Sequence, residues 1–504
     1  MIHSSRVGLE KDSFQCYKHP VQTDSARQHH GEERSQNQDT FRMALTDEQK
    51  KLRKEIYQRL ADHALEPGNP LYEPLYEHPG CEDPISLLQD HIELSGPESF
   101  RLFSGFRGSG KTTELLRLKQ RLSKAGFLVL YADALDYVNP SEPIDISDFL
   151  IVLGGAFNDA LLREEVFKNK PIELAQISYW QRIANFLQNT TVDVKEVDLK
   201  TSVTGPLSAG VDLKLELKTS PTFRQNVQKF LASRIGELRN EAHRFFEDAV
   251  KEIQKFFDEE KQVVFIFDSL EQLRGSLSNE KEVLQSVERL FAIHLPMLKI
   301  PYVHALYTVP PWLKFVKIGG DRINIIPSIR QWDNDHCRTR SDAGCNSLQN
   351  FIRKRFGQQG YKEFFGEGDE AERKAEKLME VCGGHFRDLL RLLRESVLRA
   401  DTWPVSDDVL GRARTEVRGD FLPIAVDDAA WLSKIAKSRE CSLPSMEASD
   451  VGRLTRYLDT HFVLYLRNGE EWYDIHPLIR DEVAAIAERQ QNGGPSEQLH
   501  LPSA

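Results

Sequence analysis

The stretch SFRLFSGFRGSGKTT, residues 99–113, decides the fold of this chain. Residues 100–103 are short, apolar and rich in β-formers, which predicts a buried strand. The next eight residues, 105–112, match the pattern G-x-x-x-x-G-K-[ST] of a phosphate-binding loop. The run ELLRLK, 114–119, then has helical spacing. Strand, glycine-rich loop and helix in this order predict a phosphate site, and the alternative is a glycine-rich turn without a ligand.

The loop contains the chemistry that a polyphosphate needs. Its glycines let backbone N–H groups approach the phosphates, and the start of the following helix adds its dipole. Lys111 is expected to reach the β- and γ-phosphates, and the Thr112 hydroxyl to bind Mg²⁺. The predicted cofactors are therefore ATP and Mg²⁺. The predicted cofactor-binding residues are those of the loop and its helix start: Gly105, Phe106, Arg107, Gly108, Ser109, Gly110, Lys111, Thr112 and Thr113.

Length and composition narrow the class of protein. A chain of 504 residues has room for about three domains. The net charge of −11 argues against a broadly basic nucleic-acid surface. Six scattered cysteines without a C-x-x-C pair suit a reducing compartment and give no zinc frame. With no bilayer-length apolar run and no signal-peptide core, we expect a cytoplasmic protein that does not contact a membrane.

Apolar periodicity predicts an α/β fold with a parallel sheet and several appended segments. The predicted strands are 100–103, 127–131, 263–267, 302–308 and 323–327. The predicted organisation is a disordered leader (1–44), a P-loop NTPase core (45–340) with an insertion at about 165–258, a helical lid (341–402), a winged-helix domain (403–490) and a disordered tail (491–504).

Within the insertion, alternation at 211–217 against a β-rich segment at 192–203 predicts a β-hairpin. Residues 223–257 then read as one long helix or two in tandem, packed on their own domain or forming a coiled-coil seam. In the last segment, two helices, two strands joined through Asn468-Gly469, and a closing helix indicate a winged helix.

Two carboxylates are the main catalytic candidates outside the loop. Asp268 ends an apolar run, so it should lie at the carboxyl edge of the sheet, where it would hold Mg²⁺ together with Thr112. Glu271 is the candidate that orients or deprotonates the attacking water, and the alternative is a carboxylate favoured at a helix start.

Two further residues are weaker candidates for the catalytic site. Thr308 ends the next strand and either senses the γ-phosphate or caps the turn before Pro310-Pro311. Arg387 begins a helix, where a cation is unfavourable, so we expect it to face a phosphate. Its neighbour His385 is expected to have a structural role.

The motifs GFRGSGKT, FDSLE, YTVPP and GGHFRDLL before a winged helix resemble the AAA+ and STAND side of the P-loop ATPases, over about residues 70–490. The layout is similar to origin-recognition-type ATPases and to bacterial STAND signalling ATPases. The resemblance implies that Lys111 and Thr112 belong to Walker A and Asp268 to Walker B. It further implies that Thr308 lies at the sensor 1 position and Arg387 at sensor 2.

The sequence departs from an AAA+ motor at two places. Ser269 follows Asp268, and the second acid comes only at Glu271, which is closer to the STAND pattern. The segment 294–301 offers Lys299 but no arginine where a finger residue would lie. Both departures argue against a fast ring motor.

Three functions are compatible with these patterns. The first is a slow ATP-hydrolysing switch that controls a partner protein, with nucleotide-dependent self-assembly. The resemblance implies bacterial stress signalling or antiphage defence, with an effector encoded separately. The second is a DNA-binding initiator or helicase loader, although Asp450 and Asp459 flank Arg453 and Arg456 on the candidate recognition helix. The third, a small-molecule kinase, fits the lid and winged helix poorly.

Overall fold

The computed structural model describes residues 45–77, 82–168, 178–190, 206–276, 278–316, 323–335, 337–445 and 447–492. The predicted leader (1–44), the first arm of the predicted hairpin (192–203) and most of the predicted tail lie outside these residues. Within the described part of the chain, every helix is too short or too polar to span a lipid bilayer.

A parallel five-stranded sheet forms the centre of the fold, with strand order β2-β3-β4-β1-β5. All five strands lie where the apolar runs predicted them: β1 (Ser99–Gly105), β2 (Leu128–Asp133), β3 (Val263–Asp268), β4 (Val303–Thr308) and β5 (Ile323–Ile326). Every residue of β3 and β4 is buried, as continuous apolar runs in a parallel sheet require. The α/β fold with a P-loop core is therefore confirmed.

Helices precede the sheet, connect its strands and cover it. They are α1 (Asp47–Arg59), α2 (Pro84–Glu93), α3 (Lys111–Lys124), α4 (Ile146–Arg163), α5 (Glu165–Lys168), α6 (Tyr179–Thr190), α7 (Pro206–Thr219), α8 (Pro221–Leu231), α9 (Ile235–Phe256) and α10 (Glu280–Glu288). Helix α4 lies between the sheet and α9, because the Phe157 ring packs on Phe265 of β3 and on Phe245 and Phe246 of α9.

The predicted hairpin is wrong in its second arm, since 211–217 lies inside helix α7. The alternating sequence also places Leu213 and Leu217 four residues apart, and both are buried, whereas Leu215 is exposed. Lys214 Nζ lies 3.0 Å from Asp159 Oδ2 and over the Tyr137 ring. Packing against α4 and α6 thus selects the helix over the strand. The second part of the insertion forms two helices in tandem, α8 and α9.

The lid and the C-terminal segment follow the sheet. They contain α11 (Asp342–Phe365), α12 (Gly368–Cys382), α13 (Phe386–Arg399), α14 (Asp407–Gly419), α15 (Val426–Ser438), α16 (Ala448–Asp459), β6 (Val463–Asn468), β7 (Glu470–Ile475) and α17 (Arg480–Asn492). Helix α11 bends at Gly357, and α14 packs on α12 and α13. Strands β6 and β7 pair antiparallel through the predicted Asn468-Gly469 turn. Below, "lid" means α11–α13, and "C-terminal module" means α15–α17 with β6 and β7.

Candidate functional site

The phosphate loop runs from the end of β1 to the start of α3, as the motif predicts. Gly108 and Gly110 have φ values of +83° and +86°, which side-chain-bearing residues rarely adopt. Gly110 is the N-cap of α3, so the free N–H groups of the first helical turn lie at the loop. The backbone has the form of a phosphate cradle at a helix N-terminus.

The Lys111 side chain is buried and folded along its own loop. Its Nζ donates to the carbonyl oxygens of Gly105 at 2.9 Å and Phe106 at 3.0 Å. It also lies 3.1 Å from Glu271 Oε1. The sequence predicted both residues for the site, and the fold brings the lysine and the carboxylate together although 160 positions separate them in the numbering.

Asp268 lies at the carboxyl end of β3 and is held by three donors. Oδ2 accepts from the Thr112 hydroxyl at 3.0 Å and from the Tyr131 hydroxyl at 2.7 Å, and Oδ1 accepts from the Ser269 N–H at 2.7 Å. Burial and the neighbouring Glu271 raise the pKa of Asp268. The predicted metal pair, Thr112 and Asp268, is thus in direct contact, and two hard oxygens in this position fit Mg²⁺.

Tyr131 was missed by sequence reasoning. It lies on β2, next to β3, and its hydroxyl orients the oxygen of Asp268 that also faces Thr112. Burial and the Asp268 charge hold the pKa of Tyr131 well above its ordinary value, so the phenol stays protonated and donates. Its position at the end of the FLVLY strand was the only signal.

Glu271 and Thr308 lie at the same edge of the sheet. The Thr308 hydroxyl accepts from the Leu270 N–H at 3.1 Å, which fixes the short turn that presents Glu271. Glu271 Oε2 and the loop hydroxyl Ser109 Oγ are buried without a hydrogen-bond partner in the described part of the chain. Buried polar atoms of this kind are uncommon, and these two lie on the elements that would hold a ligand.

Arg387 lies against the phosphate loop, as its place at the start of α13 predicted. A Cβ added to Gly108 would come within 2.5 Å of Arg387 Cβ, so this glycine permits the close approach of the lid. The Arg387 guanidinium is ion-paired with Asp62, in the segment between α1 and α2. The predicted sensor arginine is therefore beside the loop, and its present partner is a carboxylate.

A second arginine, Arg274, was also missed, and so was its contact with Asp459. Arg274, in the segment after β3, pairs with Asp459 at 3.1 Å, and Asp459 is the last residue of α16 in the C-terminal module. Burial and the charges of Arg274 and Arg387 lower the pKa of Arg107 in the loop. Burial raises the pKa of Asp459 to about 6, although Arg274 opposes the shift. The charges of Arg274 and Arg387, each of which is ion-paired, therefore act on Arg107 of the loop.

A narrow cleft, partly open to solvent, continues from the loop between the segment joining α1 to α2 and the lid. Its wall is mostly aliphatic and aromatic, with Leu65, Tyr76 and Phe386 next to Gly110. The Thr113 hydroxyl accepts from the Leu65 N–H at 3.0 Å. This predicted cofactor residue thus holds the segment between α1 and α2 against the start of α3. The phosphate loop therefore has an apolar wall on this side.

Solved structures similar to the chain include an origin-recognition protein, ORC2, of Aeropyrum pernix in ADPNP–ADP complexes. It is 11% identical, with 85% of this chain and 100% of that one covered and a TM-score of 0.33. A Walker-type ATPase of Pyrococcus abyssi is 14% identical (81% and 95% covered, TM-score 0.33). Cdc6p of Pyrobaculum aerophilum is 10% identical (86% and 98% covered, TM-score 0.33). These proteins are of the type that the motifs resemble.

No protein-family profile and no curated protein matches the chain.

Proposed function

We propose that the protein is an ATP-binding, slowly hydrolysing switch in which the nucleotide controls the contact between the phosphate loop and the C-terminal module. The observation that carries the proposal is the Arg274–Asp459 ion pair, at 3.1 Å, beside the loop. A carboxylate of the module lies where cationic groups would otherwise attract phosphate oxygens. A triphosphate and Asp459 would therefore compete for the same positive field.

The residues of the site fit ATP and Mg²⁺ in distinct ways. Lys111 and the N–H groups at the start of α3 would hold phosphate oxygens, and Thr112 and Asp268 would hold the metal ion. When bound, Mg²⁺ would neutralise charge on the phosphates. Glu271 would orient and deprotonate a water molecule, and its ion pair with Lys111, at 3.1 Å, supports this role.

The alternative, a DNA-binding initiator, receives less support from the C-terminal module. Arg453 on α16 pairs with Asp428 at 3.0 Å and lies 3.9 Å from Asp450, so its charge is already compensated. A DNA-reading helix needs cations that are available for phosphates. We therefore propose a protein as the partner, in agreement with an effector encoded separately, and a nucleotide-dependent self-assembly of the chain.

Binding of labelled ATP with Mg²⁺ tests the nucleotide part of the proposal. Lys111→Ala should weaken binding about 100-fold, because charge-assisted bonds of up to about 3 kcal/mol are lost. The matched control is Lys124→Ala, at the exposed end of the same helix, which should bind as the unchanged protein does. Equal affinity for all three proteins would contradict the proposed site.

The switch is tested by Asp459→Asn, which removes the competing charge and keeps the shape of the side chain. We expect ATP to bind about 3- to 10-fold more tightly. The change in assembly size between ADP and ATP should then occur at a lower ATP concentration than in the unchanged protein. Asp450→Asn on the same helix is the control. If size in solution is the same with ATP, with ADP and in Lys111→Ala, the switch is excluded even where ATP binds.

A further inference from the structure

The lid, the C-terminal module and the phosphate loop meet at a buried cluster of one aspartate and three histidines. His385 precedes α13 and Asp388 lies in its first turn. His461 follows α16, and His476 follows β7. His385, Asp388 and His476 are at most 1% exposed and His461 is 6% exposed. Nothing in the proposed ATP chemistry uses this cluster.

The ring nitrogens converge on one carboxylate oxygen. Asp388 Oδ2 lies 2.8 Å from His385 Nδ1 and 3.0 Å from His461 Nδ1. One ligand atom from each of His385, Asp388 and His461 lies within 4.8 Å of the other two, close enough to share a single ion. A tetrahedral ion with bonds of about 2.0–2.1 Å separates its ligands by roughly 3.3 Å. The two separations from Asp388 Oδ2 lie within about 0.5 Å of that spacing.

The two polar contacts of the His385 ring require two hydrogens, one more than a neutral imidazole carries. Its Nε2 lies 3.1 Å from the carbonyl oxygen of Arg107 in the phosphate loop, which can only accept, so Nε2 must carry a proton. Its Nδ1 faces the oxygen of Asp388, and an ionised carboxylate also only accepts. A neutral imidazole has a single N–H group. A positive group, either a second proton or a metal ion, is therefore required between Nδ1 and Asp388.

Two of the three ligands have the outer contacts of a metal site, whereas His461 Nε2 is buried without a hydrogen-bond partner among the described residues. A metal-bound histidine usually donates its other N–H to a carbonyl or carboxylate, as His385 does to Arg107. The second carboxylate oxygen, Asp388 Oδ1, accepts from Arg391 at 3.1 Å, which fixes the orientation of the carboxylate.

His476 is a neighbour of the site and not one of its ligands. Its Nδ1 accepts from the Leu478 N–H at 3.3 Å, which leaves the proton on Nε2. Nε2 lies 3.5 Å from Asp388 Oδ2 and has no hydrogen-bond partner among the residues that the structure describes. It can donate to the carboxylate or to a further, non-protein ligand.

We propose that His385 Nδ1, His461 Nδ1 and Asp388 Oδ2 bind a divalent transition-metal ion. Two imidazoles and one carboxylate favour Zn²⁺ among the common ions. The ion connects the lid to the C-terminal module. Through its contact with the Arg107 carbonyl oxygen, His385 couples the position of the ion to the phosphate loop. This site is separate from the Mg²⁺ position at Thr112 and Asp268 and does not depend on nucleotide binding.

The test uses the full chain without an affinity tag, purified without chelators and analysed for metal by mass spectrometry. We expect about one zinc per chain, and His461→Gln and Asp388→Asn should lose it. His304→Gln, which changes a buried histidine bonded to Ser99, should keep it. Because His29-His30 could bind metal outside the site, a variant with both changed to glutamine is a further control and should also keep the metal.

Exchange of the ion for Co²⁺ gives a readout that needs no variant. We expect the visible absorption bands of a four-coordinate Co²⁺ ion with nitrogen and oxygen ligands, at one ion per chain. A chain that neither retains zinc nor takes up Co²⁺ would overturn the proposal and leave a proton shared between His385 and Asp388 as the explanation. Metal that persists in folded His461→Gln, or is lost with His29 and His30, would overturn it as well.

Discussion

Two buried aspartates fasten the C-terminal module to the rest of the chain, and their partners differ in kind. Asp474 on β7 accepts from Arg338 at 2.9 and 3.1 Å and from Arg480 at 3.0 Å, and it also pairs with Arg439. Asp388 contacts histidines and one arginine. Both carboxylates have 0% of their side-chain surface exposed.

The two clusters therefore have different roles. The arginine cluster only holds the C-terminal module in place, whereas the histidine cluster also connects it to the phosphate loop. A guanidinium is always charged and has no lone pair. The arginines around Asp474 can therefore neither act as metal ligands nor change their charge. Burial alone would raise the pKa of Asp474, but bonds and charges from Arg338 and Arg480 outweigh it and leave the pKa below the ordinary value. Only the Asp388 cluster reaches the phosphate loop, through the His385 contact with Arg107.

The largest expected effect is on folding, from Asp474→Ala. The change leaves several arginines around a site without their counter-charge, so the free energy of unfolding should fall by about 3–5 kcal/mol. Denaturant unfolding measures it, and Asp481→Ala at the exposed start of α17 should change it by less than about 0.5 kcal/mol. ATP affinity of the folded fraction should stay the same. A loss of affinity would show that both aspartates are linked to the loop.

The contrast also shows what the sequence could predict. The strands, the phosphate loop and the edge positions of Asp268, Glu271 and Thr308 follow from local patterns, because apolar runs and glycine spacing specify them without distant partners. Arg387 could be placed near the loop because a cation at a helix start is locally unfavourable. These elements needed no knowledge of the tertiary fold.

The predictions that were wrong or missing concern features that depend on contacts between residues far apart in the sequence. Residues 211–217 alternate like a strand, and only packing of Leu213 and Leu217 on neighbouring helices decides for α7. Asp459 and Arg274 are 185 positions apart in the numbering, and no local pattern joins them. Likewise His461 is 73 residues from Asp388, so the cluster could not be predicted from spacing.

A third buried carboxylate, Asp148 in α4, tests whether the partners set the direction of the pKa shift. Its contacts are the Asp145 N–H at 3.1 Å and the Gln228 amide, both neutral, and Oδ1 has no partner among the described residues. Burial raises the pKa of Asp148 from 3.8 to about 6. The folded chain therefore binds the proton more tightly than the unfolded chain does.

The sign of the pH dependence follows from this shift. The contribution of Asp148 to stability is fully present below about pH 4 and is lost as pH rises through about 6, in total about 2–3 kcal/mol. Asp148→Asn should remove this slope and raise stability at pH 7, which unfolding at a series of pH values measures. Asp90→Asn, at a solvent-exposed position of α2, should keep the slope. A slope unchanged in Asp148→Asn would contradict the assignment.

The smallest effect is expected from Asp388→Asn on nucleotide release, with Asp474→Asn as its matched partner. Asparagine keeps an oxygen for His461 but removes the charge that holds His385, so the bond from His385 to the Arg107 carbonyl should loosen. We expect ATP to dissociate about tenfold faster, which corresponds to about 1.4 kcal/mol, and only from Asp388→Asn. Stopped-flow displacement of a fluorescent ATP analogue measures the rate in both variants. Equal ATP dissociation rates in the two variants would mean that the histidine cluster, like the arginine cluster, only holds the module in place. It would then have no effect on the phosphate loop.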